Sequence, residues 1–439
     1  MKILQSIGWY FPESTGGSEV YLSQLVRELH ECGVQNTIVA PVDGSSSRQY
    51  LFEGTEVFRY PVLPERSPDQ ISGKTPHGGF EQFRALLSRD NFDLYHQHSW
   101  TYGCGLHHLQ AAKQAGLPTV LTIHVPAPVC LRGTMLRHGS DVCDGRIEVG
   151  KCSECWFESK NVGPVSRKMI ARLPVPIAGS LRRFGRVGTA LATPAIVQHH
   201  LDTLLKAAEQ ADSIVAVCQW LRDALLINGI SSGKVLLSRQ GLRQAGSEAV
   251  KRDFGDVFKV GFLGRADPVK GAHLLMEAVA SLPAECPLLL EMHMVWSDNP
   301  QWQTYQHQLR KTAASDNRIH LQDAIGPDEV HNFLAGIDIL AVPSQLLETG
   351  PLVVLEAMAA GVPVLGADIG GIAELVSHDV NGLLLPYDQV QPWSATLQKL
   401  AENPAEIQRL TAGVNRSVRS MATVASEMCD LYSNLLAKQ

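Results

Sequence analysis

The stretch VPSQLLETGPLVVLEAMAAGVPVLGADIGGIAEL, residues 342–375, decides the fold. Its first residue closes an apolar strand that begins at Ile339, and a polar loop follows. We expect a helix to begin at Gly350-Pro351, because proline at the first helical position loses only an amide that has no partner within the helix. The helix is expected to end at Gly361. The pattern predicts one strand–loop–helix unit of a parallel α/β sheet.

A second buried strand is predicted at 363–366, and the Gly370-Gly371 turn after it leads into another helix. Two helix N-termini would then face the carboxyl ends of neighbouring parallel strands. The amides of Leu352 and Val353 would point outward, where free N–H groups and the helix dipole favour an anion such as phosphate. This edge of a parallel sheet typically binds nucleotides.

Two carboxylates, Glu348 and Glu356, flank the predicted anion site at a spacing of eight. Glu356 falls on the second turn of the helix and Glu348 in the loop before it, so both can face one ligand from different sides. Carboxylates repel phosphate but accept hydrogen bonds from sugar hydroxyls. The combination indicates a nucleotide sugar. The alternative is an ordinary parallel α/β unit with surface acids. It would explain the strands and Gly361, but not the acids, Gly350-Pro351 and Gly370-Gly371 together.

The Glu-x7-Glu pair, the run EAMAAGVPV and the following Gly-Gly-x-x-Glu resemble the donor site of the retaining, GT-B-type glycosyltransferases of the large group 1 family. The resemblance covers nearly the whole chain, apart from a cysteine-rich and a basic segment. It implies an α/β fold of two Rossmann-like, doubly wound domains that face each other across a cleft. It also implies that Glu356 holds the ribose hydroxyls and Glu348 those of the sugar.

The run GRADPVKG places Arg265 and Lys270 in one loop after a strand predicted at 259–263. Both would point into the same crevice as the helix after Pro351 and supply two cations for a diphosphate, although such charges are commonly only solvated. The loop resembles the diphosphate clamp of the family. The resemblance implies that both cations stabilise the departing nucleotide diphosphate, in a retaining transfer without a protein nucleophile or an obligatory divalent metal.

The first half of the chain alternates strands and helices in the manner of a doubly wound domain. Strands are predicted at 2–7, 36–40, 94–97, 119–123 and 213–217, and the first helix at 18–32. Gly16-Gly17 before that helix would let the backbone approach a ligand closely, but a glycine pair alone is more often a plain turn. PESTGGSEVY resembles the glycine loop that, in the family, lies near the donor diphosphate and the acceptor.

Two histidines follow strands at the sheet edge where open α/β domains bind ligands. His98 comes after the strand at 94–97, and His124 after the strand at 119–123. A lone histidine is more often structural than functional. The run LTIH nevertheless resembles the strand-end histidine with which the family contacts the transferred sugar, and this implies that role for His124.

Four of the nine cysteines lie close together in the sequence, at Cys130, Cys143, Cys152 and Cys155. The final Cys-x2-Cys has the chelate spacing of tetrahedral zinc, and four thiolates would form a closed structural site. An iron–sulfur cluster also suits four cysteines, whereas scattered reduced cysteines or a redox pair would need no metal. A metal would order a long loop with few apolar residues, so we predict a structural rather than a catalytic centre.

Seven basic residues and no acidic residue occupy positions 159–201; they are Lys160, Arg167, Lys168, Arg172, Arg182, Arg183 and Arg186. Apolar side chains lie between them. The segment 160–186 therefore suits an anionic membrane surface or an acidic or lipid-diphosphate acceptor. A solvated basic face is the alternative.

The order of the predicted elements divides the chain into three parts. We expect an N-terminal Rossmann-like acceptor-side domain at 1–245, with the cysteine-rich and basic insertion at about 126–187, and a C-terminal Rossmann-like donor domain at 256–420. In the family the last helix returns to the first domain, and this is the expectation for 421–439.

Composition and charge exclude several classes of protein. The 439 residues are 45% hydrophobic and 19% charged, which is typical of globular domains, and the net charge of −6 argues against a nucleic-acid partner. No apolar run is long enough for a membrane span, and the N-terminal one is too short for a signal peptide. We expect a cytoplasmic protein, with peripheral contact at the inner face of the membrane through the basic segment.

The predicted function is the retaining transfer of a sugar from a nucleotide-diphosphate sugar to a saccharide or lipid-linked acceptor in polysaccharide synthesis. A nucleotide-sugar epimerase of GT-B architecture would share the donor cleft and need no acceptor. A glycogen-phosphorylase-like enzyme would need a cofactor lysine, for which no motif is evident. A non-catalytic sensor would keep Glu356 and tolerate the loss of Arg265 and Lys270.

Overall fold

The computed structural model describes residues 1–14, 16–71, 73–182, 184–243 and 255–438. The chain forms two compact units. The first comprises Met1–Gln240 and Met421–Gln439, and the second comprises Gly241–Ser420. Most of the stretch between the two predicted Rossmann-like domains lies outside the described residues, and so does Arg183 of the basic segment.

The described residues form sixteen strands. In chain order they are β1 (Lys2–Ser6), β2 (Gln35–Asp43), β3 (Arg48–Phe52), β4 (Thr55–Val62), β5 (Leu94–Gln97), β6 (Thr119–Ile123), β7 (Leu136–Arg137), β8 (Asp141–Val142), β9 (Ser213–Ala216), β10 (Val235–Leu237), β11 (Phe258–Arg265), β12 (Leu288–Val295), β13 (Ile319–Asp323), β14 (Ile339–Val342), β15 (Val364–Ala367) and β16 (Gly382–Leu385).

Eighteen α-helices connect and cover these strands within the described part of the chain. They are α1 (Gly17–Glu31), α2 (Pro68–Ile71), α3 (Phe80–Arg89), α4 (Leu106–Gln114), α5 (Val149–Glu158), α6 (Pro164–Ala171), α7 (Val175–Leu181), α8 (Gly185–Leu191), α9 (Thr193–Gln210), α10 (Gln219–Ile227), α11 (Ala272–Ala280), α12 (Pro300–Ser315), α13 (Pro327–Ala335), α14 (Leu352–Ala359), α15 (Gly370–Leu375), α16 (Val390–Glu402), α17 (Pro404–Gly413) and α18 (Met421–Leu436). None of these helices is both long enough and apolar enough to cross a bilayer.

The first unit is built on a sheet with the strand order β10-β9-β6-β5-β1-β2-β4-β3. All neighbours are parallel except β3, which pairs antiparallel with β4 at the edge. The strands β5, β6 and β9 are buried along their whole length, as expected for a parallel sheet that helices cover on both faces. Sequence reasoning missed β3 and β4; β3 is largely exposed, so its sequence lacks the apolar run of a central strand.

The last helix, α18, is part of the core of the first unit. Val424, Met428 and Tyr432 of α18 are buried in one cluster with Ile3 of β1. Burying a large apolar side chain contributes about 1.5–3 kcal/mol. The Tyr432 hydroxyl also lies 2.7 Å from Nδ1 of His96 on β5. The helix is therefore held to the sheet by both apolar packing and a polar contact.

The second unit contains an entirely parallel sheet with the order β13-β12-β11-β14-β15-β16. From β11 the chain moves to β12 and β13 on one side and then to β14 and β15 on the other. The point where the strand order reverses, between β11 and β14, is where open α/β sheets bind ligands beyond the carboxyl ends of the strands.

The helix that we expected to begin at Gly350-Pro351 begins slightly later. Pro351 is the residue before the helix, with φ of −66° and ψ of 125°, and α14 starts at Leu352. Gly350 is in a left-handed conformation, with φ of 114°, and Gly361 follows the helix with φ of 73°. Glycine at these two positions lets the chain turn sharply into and out of α14.

Candidate active site

Two loops of the second unit meet beyond the ends of β11 and β14. Gly271 has a φ of 72°, and a Cβ at this position would lie 1.8 Å from the carbonyl oxygen of Pro343, so only glycine allows the approach. The Gln345 N–H donates to the carbonyl oxygen of Val269 at 2.7 Å. These contacts hold the loop with the two predicted cations against the loop that carries Glu348.

Lys270 and Glu348 form an ion pair across these loops. Lys270 Nζ lies 2.6 Å from Oε1 of Glu348, whose side chain is only 12% exposed. The same oxygen accepts a hydrogen bond from the Ser344 hydroxyl at 2.8 Å. Burial alone would raise the pKa of Glu348, but Lys270, Ser344 and Arg265 together hold it below its ordinary value. The carboxylate is therefore ionised at neutral pH and fixed in position.

The Gly370-Gly371 turn supports Glu348 from the loop after β15. The Gly371 N–H donates to the carbonyl oxygen of Glu348 at 2.7 Å. A Cβ at Gly371 would lie 2.5 Å from the amide nitrogen of Gly350, and one at Gly370 would lie 2.7 Å from Cα of Leu347. The two glycines thus permit close loop packing. The Gly371 amide is thus taken up by a backbone bond, and the anion site expected at this helix start stays a prediction for the other amides of the turn.

Arg265 lies at the end of β11 with 63% of its side chain exposed, and its Nη2 lies 2.9 Å from Oδ2 of Asp267. The other carboxylate oxygen of Asp267 accepts the Val269 N–H at 2.9 Å. Asp267 is therefore fixed and orients the guanidinium, which keeps further N–H groups for an anionic ligand. Sequence reasoning gave Asp267 no role; the only signal was its position between the two cations.

The start of α14 presents free backbone donors. No side chain caps this helix, and the Val354 N–H already bonds back to the carbonyl oxygen of Pro351 at 3.1 Å. The amides of Leu352 and Val353 precede this first bond, as the first amides of a helix do. The anion site that the sequence predicts at these two amides stays a prediction.

Glu356 lies on the second turn of α14, and its carboxyl group has no hydrogen-bond partner among the described residues. Burial raises its pKa to about 7. This environment is the opposite of that of Glu348, whose pKa is lowered. One carboxylate is thus held by a cation, whereas the other is partly buried and has a surface that a ligand can reach.

We expect Glu356→Gln to stabilise the protein above pH 7 and to have little effect near pH 4.5. The folded state holds the Glu356 proton with a pKa of about 7, against an ordinary value of 4.5. Stability is therefore lost as the pH rises through this window, and ionisation costs up to about 3 kcal/mol above it. Urea unfolding at pH 4.5 and pH 8 measures the difference.

The matched control for this experiment is Glu348→Gln, which replaces an ionised and paired carboxylate. The pKa of Glu348 is lowered, so its contribution to stability is present above the ordinary carboxyl pKa and is lost only at more acidic pH. Glu348→Gln should therefore destabilise the protein at pH 8. If both variants changed stability in the same direction at pH 8, the assignment of Glu356 as a partly buried, unpaired acid would be wrong.

In the first unit, Gly16 and Gly17 stand at the start of α1. A Cβ at Gly16 would lie 2.9 Å from the carboxylate of Glu19, whereas a Cβ at Gly17 would meet open space. Glu19 is only 4% exposed and accepts hydrogen bonds from the hydroxyls of Ser18, at 2.7 Å, and Ser14. The glycine loop therefore surrounds a carboxylate at a helix N-terminus, a feature that sequence reasoning missed.

His98 and His124 follow β5 and β6 and bond to each other. Nδ1 of His98 lies 3.2 Å from Nε2 of His124, and Nε2 of His98 lies 3.0 Å from the amide oxygen of Gln5. Because an amide oxygen only accepts, His98 carries its proton on Nε2, and the Nε2–H of His124 donates to His98. Burial lowers the pKa of His124 to about 4, so its ring is neutral at pH 7.

His124 also lines a small pocket of the first unit, of about 50 Å³. The opening of this pocket carries Trp9, whose side chain is 58% exposed. An exposed tryptophan next to a buried polar group suits a sugar ring, which has both apolar and hydroxyl faces. Sequence reasoning gave Trp9 no role, because a single aromatic residue in a loop carries no pattern.

The four cysteines of the predicted metal centre line one small pocket of about 30 Å³; they are Cys130, Cys143, Cys152 and Cys155. Throughout the described part of the chain, no three His, Cys, Asp or Glu side chains are grouped closely enough to hold a metal ion. The structure therefore does not support the predicted zinc or iron–sulfur centre.

The physical reason is that the thiols bond to separate partners. Sγ of Cys143 lies 3.7 Å from a carboxylate oxygen of Asp144, and Sγ of Cys155 accepts the backbone N–H of His138 at 3.4 Å. Burial raises the pKa of Cys152 to about 11, which favours the neutral thiol over the thiolate that binds metals. The spacing of the cysteines predicted their proximity but not the direction of their side chains.

Both halves of the chain match families of known proteins. Residues 247–415 match the family described as "Glycosyl transferases group 1", and residues 16–150 match the "Glycosyl transferase 4-like domain". Two relatives are named D-inositol 3-phosphate glycosyltransferase. The one from Salinispora tropica is 22% identical over 96% of this chain and 82% of the relative, and the one from Saccharomonospora viridis is 24% identical over 97% and 90%.

Three solved structures share the fold along almost the whole chain. Sucrose-phosphate synthase from Thermosynechococcus elongatus has a TM-score of 0.69 at 18% identity, with 100% of both chains covered. Anabaena HepE in complex with UDP and glucose has a TM-score of 0.63 at 17% identity, with 99% and 100% covered. WaaG, a glycosyltransferase involved in lipopolysaccharide biosynthesis, has a TM-score of 0.64 at 13% identity, with 98% and 99% covered.

Two units, each built on a largely parallel sheet, define a GT-B-type fold. With the matches to both of its domains, the chain belongs to the group 1 glycosyltransferases. It is a transferase enzyme. These findings confirm the family, the fold class and the enzyme class predicted from the sequence.

Proposed function

We propose that this chain transfers a sugar, with retention at the anomeric carbon, from a nucleotide-diphosphate sugar bound by its second unit. The observation that carries the proposal is the ion pair between Lys270 and Glu348, in which Nζ of the lysine lies 2.6 Å from Oε1 of the glutamate. The exposed guanidinium of Arg265 belongs to the same pair of loops. The loops combine two cations for a diphosphate with an ionised carboxylate for hydroxyls.

In this proposal Lys270 and Arg265 stabilise the negative charge that grows on the departing diphosphate, which is usually the largest single contribution to catalysis. The amides of Leu352 and Val353 add N–H donors at the positive end of the α14 dipole. Stabilisation of the leaving diphosphate is thereby assigned to side chains and backbone amides of this chain. Glu348 accepts hydrogen bonds from the hydroxyls of the transferred sugar.

The bond changes follow from retention without a protein nucleophile. The bond between the anomeric carbon and the diphosphate oxygen breaks, and the acceptor oxygen forms its new bond on the same face of the sugar. The proton of the acceptor hydroxyl passes to the leaving phosphate, so a separate general base is not required. Glu356, partly buried and within reach of a ligand, accepts hydrogen bonds from the ribose hydroxyls of the nucleotide.

The first unit, which comprises Met1–Gln240 and Met421–Gln439, is proposed to supply the acceptor side. Gly16 and Gly17, at the start of α1, and His124, after β6, are its proposed substrate-binding residues. HepE has been solved with UDP-glucose, and the relatives are named for D-inositol 3-phosphate. UDP-glucose is therefore the first donor to test and an inositol phosphate the first soluble acceptor, with glycan synthesis as the broader role.

We also propose that the segment 160–186 contacts an anionic membrane. Five large apolar side chains are exposed in or next to this segment, namely Val165 (71%), Met169 (69%), Ile177 (54%), Phe184 (59%) and Val187 (71%). The same segment carries only positive charge. Apolar side chains among basic ones are typical of helices that lie on anionic lipid. The enzyme would then work from the inner face of a membrane.

The test is thermal melting of the protein against a panel of nucleoside diphosphates and their sugars, beside Glu356→Ala. A ligand that binds only the folded state stabilises it by about 2.7 kcal/mol at 100 times its Kd. We expect a shift for one nucleotide family, with the shift lost in the variant. Absence of a shift for every nucleotide would contradict the proposed donor site. The epimerase and sensor alternatives are not favoured, because the relatives are named glycosyltransferases.

A further inference from the structure

A pocket of about 360 Å³ lies in the first unit between the loop before α3, the loop after β5 and the helices α7 and α9. This volume is within the range of pockets that bind small molecules. None of the described residues that line it is acidic, whereas the lining includes two cations and five histidines, namely Lys74, Arg182, His77, His107, His108, His199 and His200. We call it the histidine pocket.

Two of these histidines are fully engaged in holding the pocket together. The Gly105 N–H donates to Nδ1 of His108 at 3.1 Å, so His108 carries its proton on Nε2. That Nε2–H donates to Nε2 of His77 at 3.3 Å, and Nδ1–H of His77 donates to the carbonyl oxygen of Gly78 at 2.9 Å. Burial lowers the pKa of both rings. They form a rigid, neutral wall.

The lining of the histidine pocket also carries two cations and one buried imidazole nitrogen. Lys74 is half exposed, and the nearest carboxylate oxygen, Oδ1 of the exposed Asp69, is 4.0 Å from its Nζ; such surface pairs contribute little. Arg182 lines the opposite side, at the end of α7. Nε2 of His200 is buried without a hydrogen-bond partner among the described residues. A phosphate group would accept hydrogen bonds from the Lys74 ammonium and the Arg182 guanidinium.

The histidine pocket lies next to the pocket that contains His124. Trp100 and Thr101, in the loop after β5, line both of them. A molecule with its anionic group near Lys74 and Arg182 can therefore extend along this loop towards the strand-end histidines. The connection places the histidine pocket on the acceptor side of the proposed reaction.

The outer rim of the histidine pocket is apolar. Helix α7 lines the pocket with Gly179, but exposes 54% of Ile177 to solvent. Phe184, two residues after Arg182, is 59% exposed. Around the end of α7 the chain thus places a cation in the lining of the pocket and apolar side chains on the protein surface. This arrangement matches an amphiphile whose charged head lies in the pocket and whose chain lies outside it.

We propose that the histidine pocket binds the phosphate-bearing head group of a lipid acceptor, with Lys74 and Arg182 as its anion ligands. The inference rests on the proposed glycosyl transfer, and it names the class of acceptor. The lipid chain leaves the pocket over α7 towards the membrane that the segment 160–186 contacts. The head-group hydroxyl that receives the sugar lies beyond Trp100, towards His124.

Calorimetric titration of the full chain tests this with three probes: dioctanoyl phosphatidic acid, dioctanoylglycerol and glucose 6-phosphate. We expect phosphatidic acid to bind at least ten times more tightly than either of the others. In Lys74→Gln/Arg182→Gln its Kd should rise at least tenfold. The matched control Arg84→Gln/Arg89→Gln, which removes two exposed cations of α3, should leave the Kd within about twofold.

Each other outcome overturns part of the proposal. Unchanged affinity in the pocket variant, or equal binding of dioctanoylglycerol, rejects the anion site. Glucose 6-phosphate binding as tightly as phosphatidic acid assigns the pocket to a soluble phosphate ester and rejects the lipid. The nucleotide-dependent melting shift of the same samples separates the two claims: phosphatidic acid binding without any nucleotide shift rejects the glycosyl transfer alone.

Vesicle flotation tests the apolar rim directly. We expect the protein to float with phosphatidylglycerol vesicles but not with phosphatidylcholine vesicles. Met169→Glu/Ile177→Glu should abolish flotation, whereas Leu51→Glu/Val142→Glu, which makes the same change at exposed apolar residues elsewhere in the first unit, should not. Equal loss in both variants would show that added negative charge, rather than this surface, controls binding.

Discussion

Replacing Lys270 by alanine is expected to lower kcat/KM by about 10³-fold, because one of two cations aimed at the leaving diphosphate is lost. The same change also leaves Glu348 without its cation, although its side chain is only 12% exposed. An unpaired buried charge destabilises a protein, so we expect a cost of about 2 kcal/mol in the free energy of unfolding. Activity should therefore fall much further than stability.

A double variant separates the two effects. Lys270→Met/Glu348→Gln removes both charges and keeps the volume of both side chains, so it should recover most of the stability lost in Lys270→Ala. Activity should not recover, because neither the cation nor the ionised carboxylate is restored. Recovery of kcat/KM together with stability would show that the pair is structural and would reject the clamp.

Replacing Arg265 by alanine is expected to lower kcat/KM by at least about 10²-fold with almost no change in stability. Its side chain is 63% exposed and, within the described part of the chain, forms an ion pair with Asp267 alone; exposed pairs contribute about 0–1 kcal/mol. The guanidinium can offer two parallel N–H groups to a phosphate, which a lysine cannot do. Arg265→Lys should therefore recover only a small part of the activity.

The control for Arg265 is Arg409→Ala in the same unit. Arg409 is also partly exposed and also pairs with carboxylates, those of Glu406 and Asp379, but it has no proposed role at the site. Steady-state kinetics of the two variants, with circular dichroism melting, should show loss of activity for Arg265→Ala alone. Similar kinetics for both would mean that the exposed arginine at the end of β11 has no part in turnover.

The loop positions of the charged residues in the second unit could be predicted from the sequence, because each depends only on residues nearby in the chain. Arg265 and Lys270 are five residues apart, and Glu348 lies in the loop before a helix whose glycines and proline mark its ends. The Lys270–Glu348 pair was not predictable. It joins residues 78 positions apart, and it depends on the close approach of Gly271 to Pro343, which only the folded sheet creates.

The histidines of the first unit show the same limit. Their positions after β5 and β6 follow from apolar runs that end in a polar residue. Their neutral state follows from burial and from partners such as Gln5, which belongs to β1 and lies 93 positions from His98. Sequence spacing carries no information about such long-range contacts.

The cysteine-rich segment was interpreted wrongly for a related reason. Cys152 and Cys155 lie on α5, and the short hairpin of β7 and β8 separates them from Cys130. A chelate requires thiols that point to one centre, with sulfur–metal distances near 2.3 Å. The sequence supplies the spacing, whereas the side-chain directions depend on how helix and hairpin pack.

The proposed function requires the second unit to recognise a nucleoside diphosphate through Arg265 and Lys270. The most direct test is isothermal titration of the wild type and Arg265→Ala with a nucleoside diphosphate and with the parent nucleoside. We predict that the wild type binds the diphosphate at least 100 times more tightly than the nucleoside. In the variant this ratio of affinities should fall at least tenfold, whereas the affinity for the nucleoside should not change. An unaltered preference in the variant would show that Arg265 does not bind the diphosphate.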